Sequence, residues 1–353
     1  MVTRTRTRTR NRKWQELEKN GTSLEKLVRH FESHNRSEGK SPRTVEWYER
    51  VLRFFQNYLE EQDHSTKLGD LTLETVREFV VYLQTREKWY GHPSPPPGGG
   101  HLSAISVNNY VRGIRAFFSW LHREGYTDEN VLASLKPPRF PRTLVDVLTD
   151  DEVGVILSYL DSNTASGCRD TAMIVVFLDS GVRLSELANL KFQDAHLEEG
   201  YLKVMGKGAK ERIVPIGNVA QKILQRYVFH FRPEPLQEDN VFLTLEGYPL
   251  SGNAIRLIAA RLARKSGVRR LHVHLFRHTF ATNYLINGGD VFSLQQILGH
   301  TTLEMVKRYV TLASAHVRIQ HRRFSPMDRM SAGRLKALRG KPKPKQGNGS
   351  HRD

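Results

Sequence analysis

Tyr201-Leu-Lys-Val204-Met-Gly206-Lys207-Gly208-Ala-Lys210-Glu-Arg212-Ile-Val-Pro215 is the one convincing β segment in this chain. Two short runs, 201–204 and 212–215, flank a glycine-bounded turn, and that pattern predicts a hairpin. On both sides of it apolar residues recur at helical spacing. The fold class that follows is mainly α with one small antiparallel β-sheet. Lys207 stands at the hairpin tip between Gly206 and Gly208. The glycines let backbone approach a ligand closely, and the turn presents an ammonium with nothing in front of it. An ordinary exposed turn lysine would read the same way, and Lys210 and Arg212 compete for any role given to Lys207.

Toward the N-terminus the helix signals are dense. Leu24, Leu27, Val28 and Phe31 share one face. Ser41-Pro42 predicts a helix start, with Ser41 as N-cap and Pro42 in the first turn. Val45, Tyr48, Val51, Leu52, Phe55, Tyr58 and Leu59 form the stripe of that helix. A third helix is predicted from Thr72, and a fourth carries Val107, Tyr110, Val111, Ile114, Phe117, Phe118 and Leu121. Between them Gly91-His-Pro-Ser-Pro-Pro-Pro-Gly-Gly-Gly100 reads as an exposed loop. Lys136-Pro-Pro-Arg-Phe-Pro-Arg142 reads as a stiff basic linker. Beyond it, Thr149-Asp-Asp-Glu152 is a capping-box signal, and a helix over 170–178 is expected to end at Ser180-Gly181. The division expected is a basic arm over 1–22, a helical domain over 23–136, a linker over 137–147, an α-rich domain over 148–325 and a basic tail over 326–353.

Composition narrows the function. The net charge of the 353 residues is +17, of which residues 1–20 carry +5 and residues 326–353 carry +6. Both ends read as disordered basic arms of the kind that gain affinity by neutralising phosphates; solubilising termini are the bland alternative. With a pI near 10, nucleic acid is the expected partner. Cys168 is the single cysteine, which excludes an internal disulfide and a multi-cysteine zinc site and fits a reducing compartment. The longest apolar run, Ala172 to Leu178, is far short of the roughly 20 residues a membrane span needs. No secretory signal follows the first residues.

Six residues in the second half carry chemistry: Arg183, Lys207, His274, Arg277, His300 and Tyr309. Arg183, in Ser180-Gly-Val-Arg-Leu-Ser-Glu-Leu187, opens a helix just after another ends, beside free backbone N–H groups that favour an anion. Glu186, three residues on, is placed to pin its guanidinium; a surface ion pair is the plainer reading. His274 and Arg277, in His274-Leu-Phe-Arg277-His-Thr-Phe280, share a helix face at i, i+3 spacing. Packed histidines or a metal cluster with His272 and His278 are alternatives, but no ligand-spaced carboxylate or cysteine stands nearby. His300 ends Ile297-Leu-Gly-His300, and Thr301 with Glu304 predicts a new helix bearing Tyr309. In one straight helix His300 and Tyr309 would face opposite ways; a break at 299–301 frees His300 to turn to the side Tyr309 faces. Taken singly, Tyr309 reads more simply as an amphipathic-helix tyrosine. As a set, the six can hold a phosphodiester, attack it and protonate a leaving alkoxide without a metal.

Gly-Val-Arg183-Leu-Ser-Glu-Leu, Gly-Lys207-Gly-Ala-Lys-Glu-Arg, His274-Leu-Phe-Arg277-His-Thr, Leu-Gly-His300 and Tyr309 resemble the tyrosine recombinase (phage integrase) family over about residues 23–325. In size and layout the chain is similar to Xer-type and mobile-element recombinases. The resemblance implies a helical core-binding (SAM-like) domain and a catalytic domain that clamp double-stranded DNA, with a dimer at each site and a homotetramer on two. It implies that Arg183, Arg277 and His300 bind the scissile phosphate. Tyr309 would attack it to give a 3′-phosphotyrosyl link and a free 5′-hydroxyl, Lys207 would protonate the 5′ oxygen, and His274 would assist proton removal from Tyr309. Arg43, Thr44, Arg112, Lys210 and Arg212 are expected on the DNA, with Glu186 supporting the site. No metal or cofactor is expected, and the place of action is the cytoplasm, at the nucleoid. Resolution of chromosome or plasmid dimers, type IB topoisomerase activity and DNA binding without catalysis are the alternatives. The Pro/Gly loop over 91–100, the short N-terminal arm and the basic C-terminal extension depart from the family pattern.

Overall fold

The computed structural model describes residues 19–88, 100–138, 146–206, 210–303, 306, 309, 321 and 325. Lys207, Glu304, most of the 91–100 loop and of the linker, nearly all of the N-terminal arm and the C-terminal tail lie outside them. The chain forms two compact units, Met1–Arg142 and Thr143–Asp353.

The first unit contains α1 (Leu24–Ser37), α2 (Pro42–Glu61), α3 (Leu73–Thr85) and α4 (Ala104–Arg123). Each begins where a hydroxyl stands ready to cap it. Ser23, Ser41, Thr72 and Ser103 accept from the backbone N–H three residues on, which stabilises a helix by roughly 1 kcal/mol per cap. The apolar stripes meet in one aromatic-rich core. Phe31 packs edge-on to Phe117 at 5.4 Å, and Phe55 to Phe79 at 5.0 Å, a geometry the ring quadrupoles favour. Pro42 lies in the first turn of α2, where a missing N–H costs nothing.

The second unit opens with α5 (Asp150–Ser158), whose Thr149–Glu152 capping box forms as expected. Next come α6 (Ala165–Ser180), the single-turn α7 (Leu184–Ala188), β1 (Ala195–His196), β2 (Tyr201–Met205) and β3 (Glu211–Pro215). The remaining helices are α8 (Asn218–His230), α9 (Gly252–Ser266), α10 (Val273–Ile286) and α11 (Val291–Leu298). The expected hairpin is present, with Tyr201 opposite Pro215 and Met205 opposite Glu211. It carries a third strand that the sequence did not signal, because β1 is two residues long and has no alternation to read. Helix α6 starts earlier than its apolar pattern suggested. Thr164 caps it by accepting from Gly167 N at 3.1 Å, and Arg169 and Asp170 are buried as an ion pair inside it.

Helix α6 packs against α8 and α10 and ends at Gly181, which adopts the left-handed conformation with φ 61°. A Cβ at that position would lie 2.4 Å from Phe280 Cδ1. Gly181→Ala is therefore expected to cost about 2–4 kcal/mol, from left-handed strain plus overpacking. A urea denaturation midpoint within error of wild type would contradict that. Helix α11 ends the same way, at Gly299 with φ 62°. A small cluster of Phe280, Ala281, Leu285, Leu294, Leu298, Val306 and Tyr309 closes this end of the unit. Among the described residues no helix is long and apolar enough to cross a membrane.

Candidate active site

The site is assembled on carbonyls left over at helix ends. The last turn of a helix has C=O groups with no partner inside it, and they carry the negative pole of the helix dipole. At the end of α11 three consecutive carbonyls each receive a guanidinium. Arg212 Nε donates to Ile297 O at 2.9 Å, Arg277 Nη2 to Leu298 O at 2.7 Å and Arg183 Nη2 to Gly299 O at 3.1 Å. Arg277 also donates through Nη1 to Gly181 O, at the end of α6. Two left-handed glycine caps thus present the carbonyls that gather three arginines from distant stretches of chain. Gly299 also leaves room for one of them, since a Cβ there would sit 3.0 Å from Arg212 Cδ and Nε.

One carboxylate organises two of these cations. Glu186, 3 % exposed, receives Arg212 Nη1 and Nη2 at 2.6 and 2.7 Å, Arg183 Nη1 at 2.8 Å and Arg183 N at 2.7 Å. Burial alone would raise its pKa. The Arg212 fork and the Arg183 amide outweigh that and draw it from 4.5 to about 2. Arg277, 5 % exposed, is pushed down to about 10 by burial and by Arg183, and stays protonated at neutral pH. Arg183, Arg212 and Arg277 against Glu186 leave a surplus of positive charge suited to a phosphodiester.

The imidazoles and the phenol complete the cluster. Arg277 Nη2 donates to His300 Nε2 at 3.0 Å. The His300 ring lies nearly parallel to that of Tyr309, 11° apart with centroids at 6.5 Å. The break at Gly299 does turn His300 toward the side that Tyr309 faces. Tyr309 is 4 % exposed. An imidazole stands 3.0 Å from its hydroxyl, and it is Nδ1 of His278. His274, one turn earlier on α10, has its ring 6.4 Å from that of His278. Partial burial, then Arg277, His272, Arg183 and Arg256, lower the His274 pKa from its ordinary value.

Of the six residues singled out in the sequence, five are described: Arg183, Arg277, His300 and Tyr309 interlock, and His274 borders them. Arg212, expected on DNA, spends its guanidinium on Glu186 and Ile297 O. Lys210 is exposed beside it, and its carbonyl accepts from Gly206 N at 2.8 Å. In the first unit Arg43 and Arg112 are exposed, on α2 and α4, and Thr44 hydrogen-bonds the Ser41 cap at 2.8 Å. Sequence reasoning passed over the Ile297–Gly299 carbonyls and the pairing of His278 with Tyr309. The i, i+4 spacing of His274 and His278 was the available signal for the second.

The phage integrase family matches residues 146–316, and the phage integrase SAM-like domain matches residues 26–136. The chain is 31% identical to the tyrosine recombinase XerD of Listeria monocytogenes, over 82% of this chain and 94% of that one. Its fold is similar to that of the XerH site-specific recombinase in a post-cleavage complex with palindromic difH substrate: TM-score 0.64, 20% identity, 84% of this chain and 82% of that one. It is also similar to the Tn1549 transposon integrase in complex with transposon right end DNA: TM-score 0.62, 20% identity, 86% of this chain and 100% of that one. The chain belongs to the phage integrase family, the tyrosine recombinases, enzymes that break and rejoin DNA strands through a tyrosine.

Proposed function

We propose that this chain is a site-specific DNA recombinase of a mobile element, working as a dimer at each site and a tetramer on two, in the cytoplasm at the nucleoid. The observation that carries the chemistry is the interlocked set of Arg183, Arg277, His300 and Tyr309. In this reading Arg183, Arg277 and His300 hold the scissile phosphate. Their fixed N–H groups stabilise the charge that builds on the phosphoryl oxygens, where loss of one donor typically costs about 3–4 kcal/mol. Tyr309 attacks phosphorus, and a 3′-phosphotyrosyl bond stores the energy of the broken one. Lys207 protonates the leaving 5′ oxygen, with Lys210 on the same hairpin. A 5′-hydroxyl of the second duplex then reverses the step, so no nucleotide cofactor is consumed. Arg43, Thr44 and Arg112 contact DNA from the first unit.

The test is to trap covalent protein on a nicked suicide duplex and map the modified peptide. Label on the peptide containing Tyr309 supports the reading, and label elsewhere removes Tyr309 as nucleophile. A Holliday junction from two-site substrates separates recombination from relaxation by a type IB topoisomerase. Chromosome-dimer resolution of the Xer type is the second reading, favoured by the similarity to XerD.

A further inference from the structure

We propose that His278 is the proton acceptor for Tyr309: its Nδ1, 3.0 Å from the phenolic oxygen, takes the hydroxyl proton as that oxygen attacks phosphorus. The inference rests on the reading of Tyr309 as nucleophile and adds a residue to which the family resemblance assigned no part.

Three observations carry it. A phenol with pKa near 10 needs a base to attack at neutral pH, and a base must lie within about 2.6–3.2 Å of the proton it removes. His278 Nδ1 meets that distance. The ring is half-buried on α10, directly after Arg277, whose guanidinium is anchored on Gly181 and Leu298 carbonyls. Its backbone position is therefore held by the same contacts that hold the phosphate-binding arginine. Finally, the ring of Tyr309 has two imidazoles near it, His278 at 5.7 Å and 47° and His300 at 6.5 Å and 11°. His300 already accepts from Arg277 through Nε2. A proton leaving the phenol thus has His278 Nδ1 as an acceptor in reach.

Among the described residues, the charged and titratable groups that act on His274 and Arg277, the α10 neighbours of His278, are His272 just before α10, Arg183 and Glu186 on α7 and its cap, Arg212 on β3 and Arg256 on α9, while His300 after α11 faces Tyr309. The cations stabilise a developing phenolate, and His278 receives the proton. In the step the Tyr309 O–H bond breaks and an Nδ1–H bond forms on His278. The phenolic oxygen bonds to phosphorus, the bond to the 5′ oxygen breaks, and that oxygen takes a proton from the general acid. In the rejoining step an incoming 5′-hydroxyl returns its proton to the general acid as its oxygen bonds to phosphorus, and it displaces Tyr309, whose oxygen recovers its proton from His278.

The test follows single-turnover adduct formation by the full chain between pH 5.5 and 9.5. The probe is a nicked suicide duplex whose sequence is chosen from a random pool by binding to the Tyr309→Phe chain. His278→Ala is expected to slow adduct formation by about 100-fold at pH 7 with DNA binding retained, the low end of what a general base contributes. Wild type should show an ascending limb where imidazoles titrate. His278→Asn places an amide oxygen near the Nδ1 position, so it holds the phenol but cannot carry its proton away. It should remain slow and lose that limb, its rate climbing on toward the phenol's own range. A wild-type profile in His278→Asn, or a rate within about threefold of wild type in His278→Ala, overturns the proposal. So does loss of the limb in His274→Ala with the limb kept in His278→Asn. An adduct still formed by Tyr309→Phe is a separate result, and it removes the nucleophile reading itself.

Discussion

Tyr309→Phe is expected to abolish the covalent protein–DNA adduct while DNA binding and stability stay close to wild type. The ring belongs to the small apolar cluster with Phe280, Leu294, Leu298 and Val306, and phenylalanine keeps that packing. The fold loses the hydroxyl's bond to His278, a net change of roughly 1 kcal/mol. The proposed reaction loses its nucleophilic oxygen altogether. Removal of a covalent nucleophile costs roughly 10⁴-fold or more, so single-turnover trapping should show no adduct above background. Bandshift titration should give a dissociation constant within a few-fold of wild type. An adduct at more than about 1% of the wild-type rate would place the nucleophile elsewhere.

Glu186→Gln is the most damaging single change expected for stability. The carboxylate is buried and serves two guanidiniums and a backbone amide. Its neutral amide analogue removes the charge and leaves Arg212 and Arg183 short of acceptors. Breaking one partner of a buried pair costs about 3–5 kcal/mol. The pH dependence gives an independent check. The folded pKa is depressed from 4.5 to about 2, so the stabilisation is fully present above pH 4.5 and is lost as pH falls toward 2. The 2.5-unit difference corresponds to roughly 3 kcal/mol. The gap in urea midpoint between wild type and Glu186→Gln should be wide at pH 7 and should narrow progressively below about pH 4.5. A gap that is constant with pH would mean that the carboxylate charge contributes nothing. Cleavage should fall as well, because Arg183 is held in place by Glu186 and Gly299 O together.

Much of this fold was legible because it is written in local signals. Ser41 read as a cap in sequence and is a cap in space, and Ser23, Thr72 and Ser103 cap the other three helices of the first unit. The helical stripes became the core of the first unit. The glycine-bounded turn predicted a hairpin whose strands pair in the expected antiparallel sense. What failed were elements without a local period. Strand β1 is too short to alternate, and α6 begins with Ala165-Ser-Gly-Cys, which shows no apolar face.

In the site, side-chain identity was readable and partnership was not. Arg183, Arg277, His300 and Tyr309 could be picked out by type and context, and the Arg183–Glu186 pair followed from three-residue spacing on one helix. Arg212 looked like a hairpin cation free to meet DNA. Its actual partners, Glu186 and Ile297 O, are 26 and 85 residues away, and no periodicity encodes such a distance.

From the order of its residues alone this chain determines where helices start and stop, which faces turn inward and which polar groups are available for phosphate chemistry, because capping and amphipathicity act within a few residues. Tertiary structure alone decided that α6 and α11 end side by side on left-handed glycines, so that spare carbonyls at 181 and 297–299 collect three guanidiniums. It also decided that Tyr309 meets His278. Both outcomes depend on how helix ends converge after packing, and unsatisfied carbonyls and buried charges select their partners only once they are brought together.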